Sequence, residues 1–96
     1  IREPVMSLDV ITPADYLGEV LGDINSRRGQ VDAIDQRGDT RNIRARVPLA
    51  ELFGYSSTIR SLTQGRAGFS MQFLNYTDTP PNVQRDILTR MGILSR

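Results

Sequence analysis

The densest set of chemically capable residues is Arg60-Ser61-Leu62-Thr63-Gln64-Gly65-Arg66. If this stretch ends a helix with Ile59 and Leu62 turned inward, Arg60, Ser61 and Gln64 are left together near its C-terminal end. Arg66 then falls just past the glycine. A guanidinium forks onto phosphate or stacks on a base, and short hydroxyl and amide groups add directional hydrogen bonds to base edges. The same spacing supports a plainer reading, in which Arg60 and Arg66 answer the helix dipole and cap its last carbonyls. Residue types alone leave both readings open.

Other chemistries are excluded more firmly. The chain of 96 residues has no cysteine and no histidine, which removes disulfides, thiolate metal sites, the cysteine nucleophile and the commonest general base. All twelve basic residues are arginine, so a phosphate loop of the G-x-x-x-x-G-K-[ST] type cannot be written here. No catalytic residue and no metal-ligand set is therefore expected. A net charge of +1 argues against indiscriminate nucleic-acid binding, since few counterions would be released. Arg37-Gly38-Asp39 spells an adhesion tripeptide, but in a cysteine-free chain it reads as a hairpin turn. No apolar run approaches the roughly 18 residues of a membrane span. With no initiator Met and no signal-peptide pattern, the chain is expected to be a piece of something longer.

The elements that must position the arginine segment follow from periodicity. Met6, Leu8 and Val10 alternate with Ser7 and Asp9, the period of a half-buried strand. Thr12-Pro13-Ala14-Asp15 then reads as a helix start, with Thr12 as N-cap and Pro13 in the first turn. Leu17, Val20, Leu21 and Ile24 make one apolar helix face, and Asp15, Glu19 and Asp23 a solvated opposite face. Arg27 and Arg28 suit the dipole of the last turn, and Gly29 ends the helix. A second strand, Gln30 to Arg37, slips in alternation around Ala33-Ile34, which points to a bulge. Gly38-Asp39 turns the chain into a third strand with Ile43, Ala45 and Val47 inward. A helical region broken near Gly54 carries Leu49, Leu52 and Phe53, then Tyr55, Ile59 and Leu62. Phe69, Met71 and Phe73 mark the inward side of a fourth strand. After Pro80-Pro81, the spacing of Val83, Ile87 and Met91 predicts a terminal helix.

This order predicts an α+β, ferredoxin-like βαββαβ sandwich, a four-stranded antiparallel sheet with two helices on one face. Residues 1–79 form it, and residues 80–96 are a C-terminal helical tail. An RNA-recognition motif shares the order but stacks bases on aromatics of the open sheet face. The residues expected there, Ser7, Asp9, Asn42, Arg44, Arg46, Ser70 and Gln72, include none. Asp9 opposite Arg44 or Arg46 is instead expected to make a weak cross-strand ion pair.

Glu3-Pro4-Val5-Met6, Gly22 to Gln30, Val47-Pro48-Leu49, Phe53-Gly54-Tyr55 and above all Arg60 to Arg66 resemble the fifth, C-terminal domain of translation elongation factor G. The motifs run in family order from Glu3 to about Tyr76. The resemblance implies a ribosome-docking domain of a translational GTPase that drives tRNA and mRNA movement during protein synthesis. It implies contacts with the large subunit: the sarcin-ricin loop, the GTPase-associated RNA and the stalk-base protein. The loop contacts fall to Arg60, Ser61 and Gln64, with Arg66 nearby as a further RNA-binding residue. Leu62 stands where some members carry a basic residue. GTP and Mg belong to the parent's N-terminal domain, so this chain by itself is expected to be no enzyme, to hold no cofactor and to be a monomer. The expected location is the cytoplasm, or the mitochondrial matrix for an organellar paralogue. Alternative roles are a purely structural module packing on the parent's other domains, or a paralogue acting in ribosome recycling.

Overall fold

The central strand β1 (Arg2–Pro13) is long because its two neighbours overlap only in part. Residues 2–4 pair with β4 (Gly68–Asp78) alone, residues 12–13 with β3 (Thr40–Pro48) alone, and the stretch between with both. Both pairings are antiparallel, and β2 (Gln30–Arg37) joins β3 at the outer edge, giving the order β2-β3-β1-β4. Helices α1 (Leu17–Ser26) and α2 (Tyr55–Leu62), each preceded by a 3-10 turn, complete the expected βαββαβ order. The computed structural model describes residues 2–83 and 85. The α+β, ferredoxin-like class expected from periodicity is the one observed.

Strict alternation on β1 and β3 places one side of the sheet under the helices. Leu8, Val10, Ile43, Ala45 and Val47 meet Val20 and Ile24 of α1 and Tyr55 and Ile59 of α2 in a single core. Met6, Leu17, Leu21, Phe69 and Met71 pack around it, half-buried. A fully buried aliphatic side chain stabilises the fold by about 1.5–3 kcal/mol, so this set supplies most of what holds the domain together. Both outer strands carry a bulge. On β2 it leaves Asp32 unpaired between Val31 and Ala33, which turns Val31 and Ile34 to the same side and explains the slipped alternation. On β4 it leaves Leu74 unpaired, because Met6 faces Phe73 while Val5 faces Asn75.

Several local expectations are corrected. β1 continues through Thr12 and Pro13, so Thr12 is a fully buried strand residue rather than an N-cap. Pairing with β3 extends to Pro13 opposite Thr40, and that ladder outweighs the capping signal. The helix start after it has no side-chain cap at Pro13 or Tyr16. Phe73 is 55% exposed instead of core, because it lies beyond the cover of the short α2; it packs on Tyr76 with centroids 5.1 Å apart. Leu62 is only half-buried, and the core position goes to Thr63. That hydroxyl donates to the Ile59 carbonyl at 2.6 Å and accepts from the Ala67 N–H at 3.2 Å, which satisfies it inside. The Gly38-Asp39 turn is as expected, with Arg37 opposite Thr40 and Gly38 at φ 57°. Of the terminal helix, residues 81–83 and 85 are helical; Ile87 and Met91 lie outside the described residues.

Candidate functional site

Both helices end in the same backbone device. In α1, Arg28 takes φ 59°, Arg28 N–H donates to the Asn25 carbonyl, and Gly29 N–H reaches the Ile24 carbonyl at 2.9 Å. In α2, Gln64 takes φ 55° and Gly65 N–H reaches the Arg60 carbonyl at 2.8 Å. Such closures satisfy the orphan carbonyls of a last turn without help from side chains. The arginines near each end are therefore free for other work.

At the α1 end both are engaged by internal partners, with the buried Arg28 Nε left unpaired among the described residues. Arg27 donates to Asp23 at 2.9 Å, to the Glu51 carbonyl at 2.6 Å and to the Thr58 hydroxyl at 3.1 Å, and its guanidinium lies 4.9 Å from the Tyr55 ring centroid. Arg28 makes a two-pronged contact with Glu3, at 2.9 and 3.0 Å, and reaches Glu51 at 3.4 Å. The Glu3 side chain is only 7% exposed. Hydrogen bonding to Glu3 raises the Arg28 guanidinium above its ordinary pKa against the opposing effect of burial. These arginines stitch β1, α1 and the turn before α2 together, and Asp23 belongs to that knot instead of to a solvated acidic face. Gly29 is needed for a second reason: a Cβ there would lie 2.5 Å from Ile24 Cγ2 and 2.7 Å from the Ile24 carbonyl oxygen.

The α2 end has the opposite character. Arg60, Ser61, Gln64 and Arg66 are all exposed, as the sequence predicted. Among the described residues the side chains of Arg60, Ser61 and Gln64 make no hydrogen bond or ion pair. Arg66 rests its guanidinium 6.0 Å from the Tyr16 ring centroid, a contact that leaves its N–H donors available. The sequence's plainer reading, arginines capping carbonyls, does not describe this end, because the Gly65 turn already closes it.

On the open sheet face the arginines of β3 are paired. Arg44 pairs with Asp9 at 3.4 Å, one of the expected cross-strand partners, whereas Arg46 pairs with Asp32 at 2.9 Å. The Asp32 contact raises the Arg46 pKa. The open sheet face thus offers balanced charge, and the strand aromatics Phe69 and Phe73 sit in register with Val10 and Met6 on the helix side. In a groove of about 350 Å³ beside Glu3, Val5, Arg28 and Arg46, both lining arginines are already paired, Arg28 with Glu3 and Arg46 with Gln30. Among the described residues no cluster of His, Cys, Asp or Glu could hold a metal ion, and no helix is long and apolar enough to cross a membrane.

The sequence model of the family described as Elongation factor G C-terminus matches residues 1–87. The chain belongs to this family. A crystal structure of a protein from Thermus thermophilus superimposes on the elongation factor G domain with a TM-score of 0.86 and 34% sequence identity, over 95% of this chain. The domain spans only 14% of that chain. The fold and the membership of the elongation factor G C-terminus family follow from these two matches together. Sequence reasoning missed the Arg27–Arg28 knot, whose partners Glu3 and Glu51 stand 25 and 23 positions from Arg28. Only the unusual pairing of two arginines before a glycine hinted at it.

Proposed function

We propose that this domain docks its parent elongation factor on the large ribosomal subunit, with the α2 end as the contact surface. Arg60 and Arg66 grip phosphates and Ser61 and Gln64 hydrogen-bond to base edges of the sarcin-ricin loop. The GTPase-associated RNA and the stalk-base protein are the neighbouring partners on this reading. The domain supplies no catalytic group; GTP and Mg act in a separate domain of the parent, and docking supports GTP-dependent movement of tRNA and mRNA in the cytoplasm. The observation that carries the reading is the contrast between helix ends: the arginines of α1 are consumed by internal carboxylates, and Arg60 faces solvent without a partner.

The test places Arg60→Ala and Gln64→Ala in the full-length parent and measures ribosome-stimulated GTP turnover and translocation. Losing a charge-assisted bond of about 1.5–3 kcal/mol weakens docking roughly tenfold to a hundredfold. Arg44→Ala, on the open sheet face, is the control and leaves both rates near wild type. Wild-type behaviour of the helix-end variants together with failure of Arg44→Ala would move the docking surface to the sheet.

A further inference from the structure

Helix α2 has little of its own to fix how it lies. It is eight residues long, well short of the ~12–15 residues below which an isolated helix is marginal in water. Its N-cap is Gly54 at φ 76°, no side chain caps its first turn, and no acidic residue stands there. Its buried residues Tyr55 and Ile59, with buried Thr63 just past the end, follow one another at intervals of four. That spacing makes one narrow stripe, and Leu62 beside it is only half-buried. A stripe of this kind holds a helix along its length and opposes a roll about that line poorly.

Arg27 supplies contacts off the line. Its base is fixed on α1, where Nε donates to Asp23 at 2.9 Å and the two side chains are only 14% and 15% exposed. From there Nη2 donates to the Thr58 hydroxyl at 3.1 Å. Nη1 donates to the Glu51 carbonyl at 2.6 Å and, more weakly, to the Phe53 carbonyl at 3.4 Å. Thr58 lies one residue before Ile59, hence about 100° around the helix from it, on the flank of α2. The two carbonyls belong to the turn that leads into the helix. One planar group thus holds the flank and the lead-in together, through donors set in a fixed fork that an ammonium lacks. Ser61 follows Thr58 by three residues on the same flank. Whatever sets the roll at Thr58 also sets where Ser61, Arg60 and Gln64 point.

We propose that Arg27 is a positioning residue for the docking surface: it fixes the roll of α2 about its buried stripe and so aims Arg60, Ser61 and Gln64 without touching the partner. This rests on the docking reading above. The neighbouring Arg28 turns the other way, to Glu3 and Glu51, and among the described residues it makes no hydrogen bond to α2.

The experiment uses the full-length parent at a temperature where melting curves show each variant folded. It measures the ribosome concentration that half-saturates GTP turnover, and the turnover at saturation. Arg27→Lys keeps the charge and loses the fork. Thr58→Val keeps the arginine and removes its acceptor on α2, and it decides alone if Arg27→Lys does not fold. Both are expected to raise the half-saturating concentration about threefold to thirtyfold and to leave saturated turnover unchanged. Combined with Arg60→Ala, each should give less than the product of the two single effects, because a misaimed arginine has less left to lose. Arg28→Lys is the control for stability: it weakens the same knot and lowers the melting temperature, with the half-saturating concentration near wild type. Wild-type values for Arg27→Lys and Thr58→Val overturn the inference, and so do effects that multiply in full. An equal rise for Arg28→Lys also overturns it, since lost stability would then explain every variant. In each of these cases the docking reading stands if Arg60→Ala alone raises the concentration. If Arg60→Ala alone leaves it unchanged, the docking reading fails and this inference with it.

Discussion

Arg28 and Gln64 occupy equivalent places, each left-handed and each one step before a glycine whose N–H reaches back five residues to a helix carbonyl. Past that shared turn the surroundings differ. Around the α1 end stand Glu3, Asp23 and Glu51, and every one of them engages Arg27 or Arg28. Around the α2 end no carboxylate contacts Arg60 among the described residues. The same local sequence logic, arginine near a helix terminus followed by glycine, therefore yields a structural clamp in one place and a displayed cation in the other. What decides is the long-range placement of acidic partners.

That contrast can be broken by mutation, beginning with the clamp. Arg28→Ala leaves the Glu3 carboxylate buried and uncompensated, and chemical denaturation should show a loss of about 3–5 kcal/mol. The next largest effect is alkaline. Burial, assisted by the nearby Asp23 charge, pushes the Tyr55 phenol up to about 12. The unfolded chain ionises near pH 10, so it releases its proton before the folded chain does. Stability is full below about pH 10 and falls as pH rises toward 12, by roughly 2–3 kcal/mol. Tyr55→Phe should abolish that portion of the slope in melts recorded across the window. It should cost little at neutral pH, because the buried Tyr55 hydroxyl has no hydrogen-bond partner.

The paired glycines sharpen the comparison further. Gly29→Ala forces a methyl against Ile24 and should destabilise by about 1–3 kcal/mol. Gly65→Ala meets open space, so only its left-handed backbone (φ 76°) resists, at about 1–2 kcal/mol. Smallest of all, Arg60→Ala and Arg66→Ala should change stability by no more than about 0.5 kcal/mol. A larger loss for Arg60→Ala would mean that it too is a structural residue.

Much of the sheet was legible because β1 and β3 alternate without interruption from Met6 to Val10 and from Ile43 to Val47, and burial on one face imposes that period. The helix faces were legible for the same reason, and the exposure of Arg60, Ser61 and Gln64 followed from counting around α2. Thr12 was misread because a strong local cap signature competed with strand pairing, and pairing partners lie far along the chain. Phe73 was misread because parity says which side a strand residue faces but not how far a helix extends over it.

The two unpaired residues at the sheet margins bear on how this domain behaves among its neighbours. A sheet of four strands has two outer strands, here β2 and β4, and each exposes a row of backbone donors and acceptors that would template another chain. Asp32 interrupts that row on one side and Leu74 on the other. Each adds a local twist, and on β2 the interruption is flanked by solvent along the whole strand. Edge-to-edge pairing with another chain is thereby disfavoured at both margins.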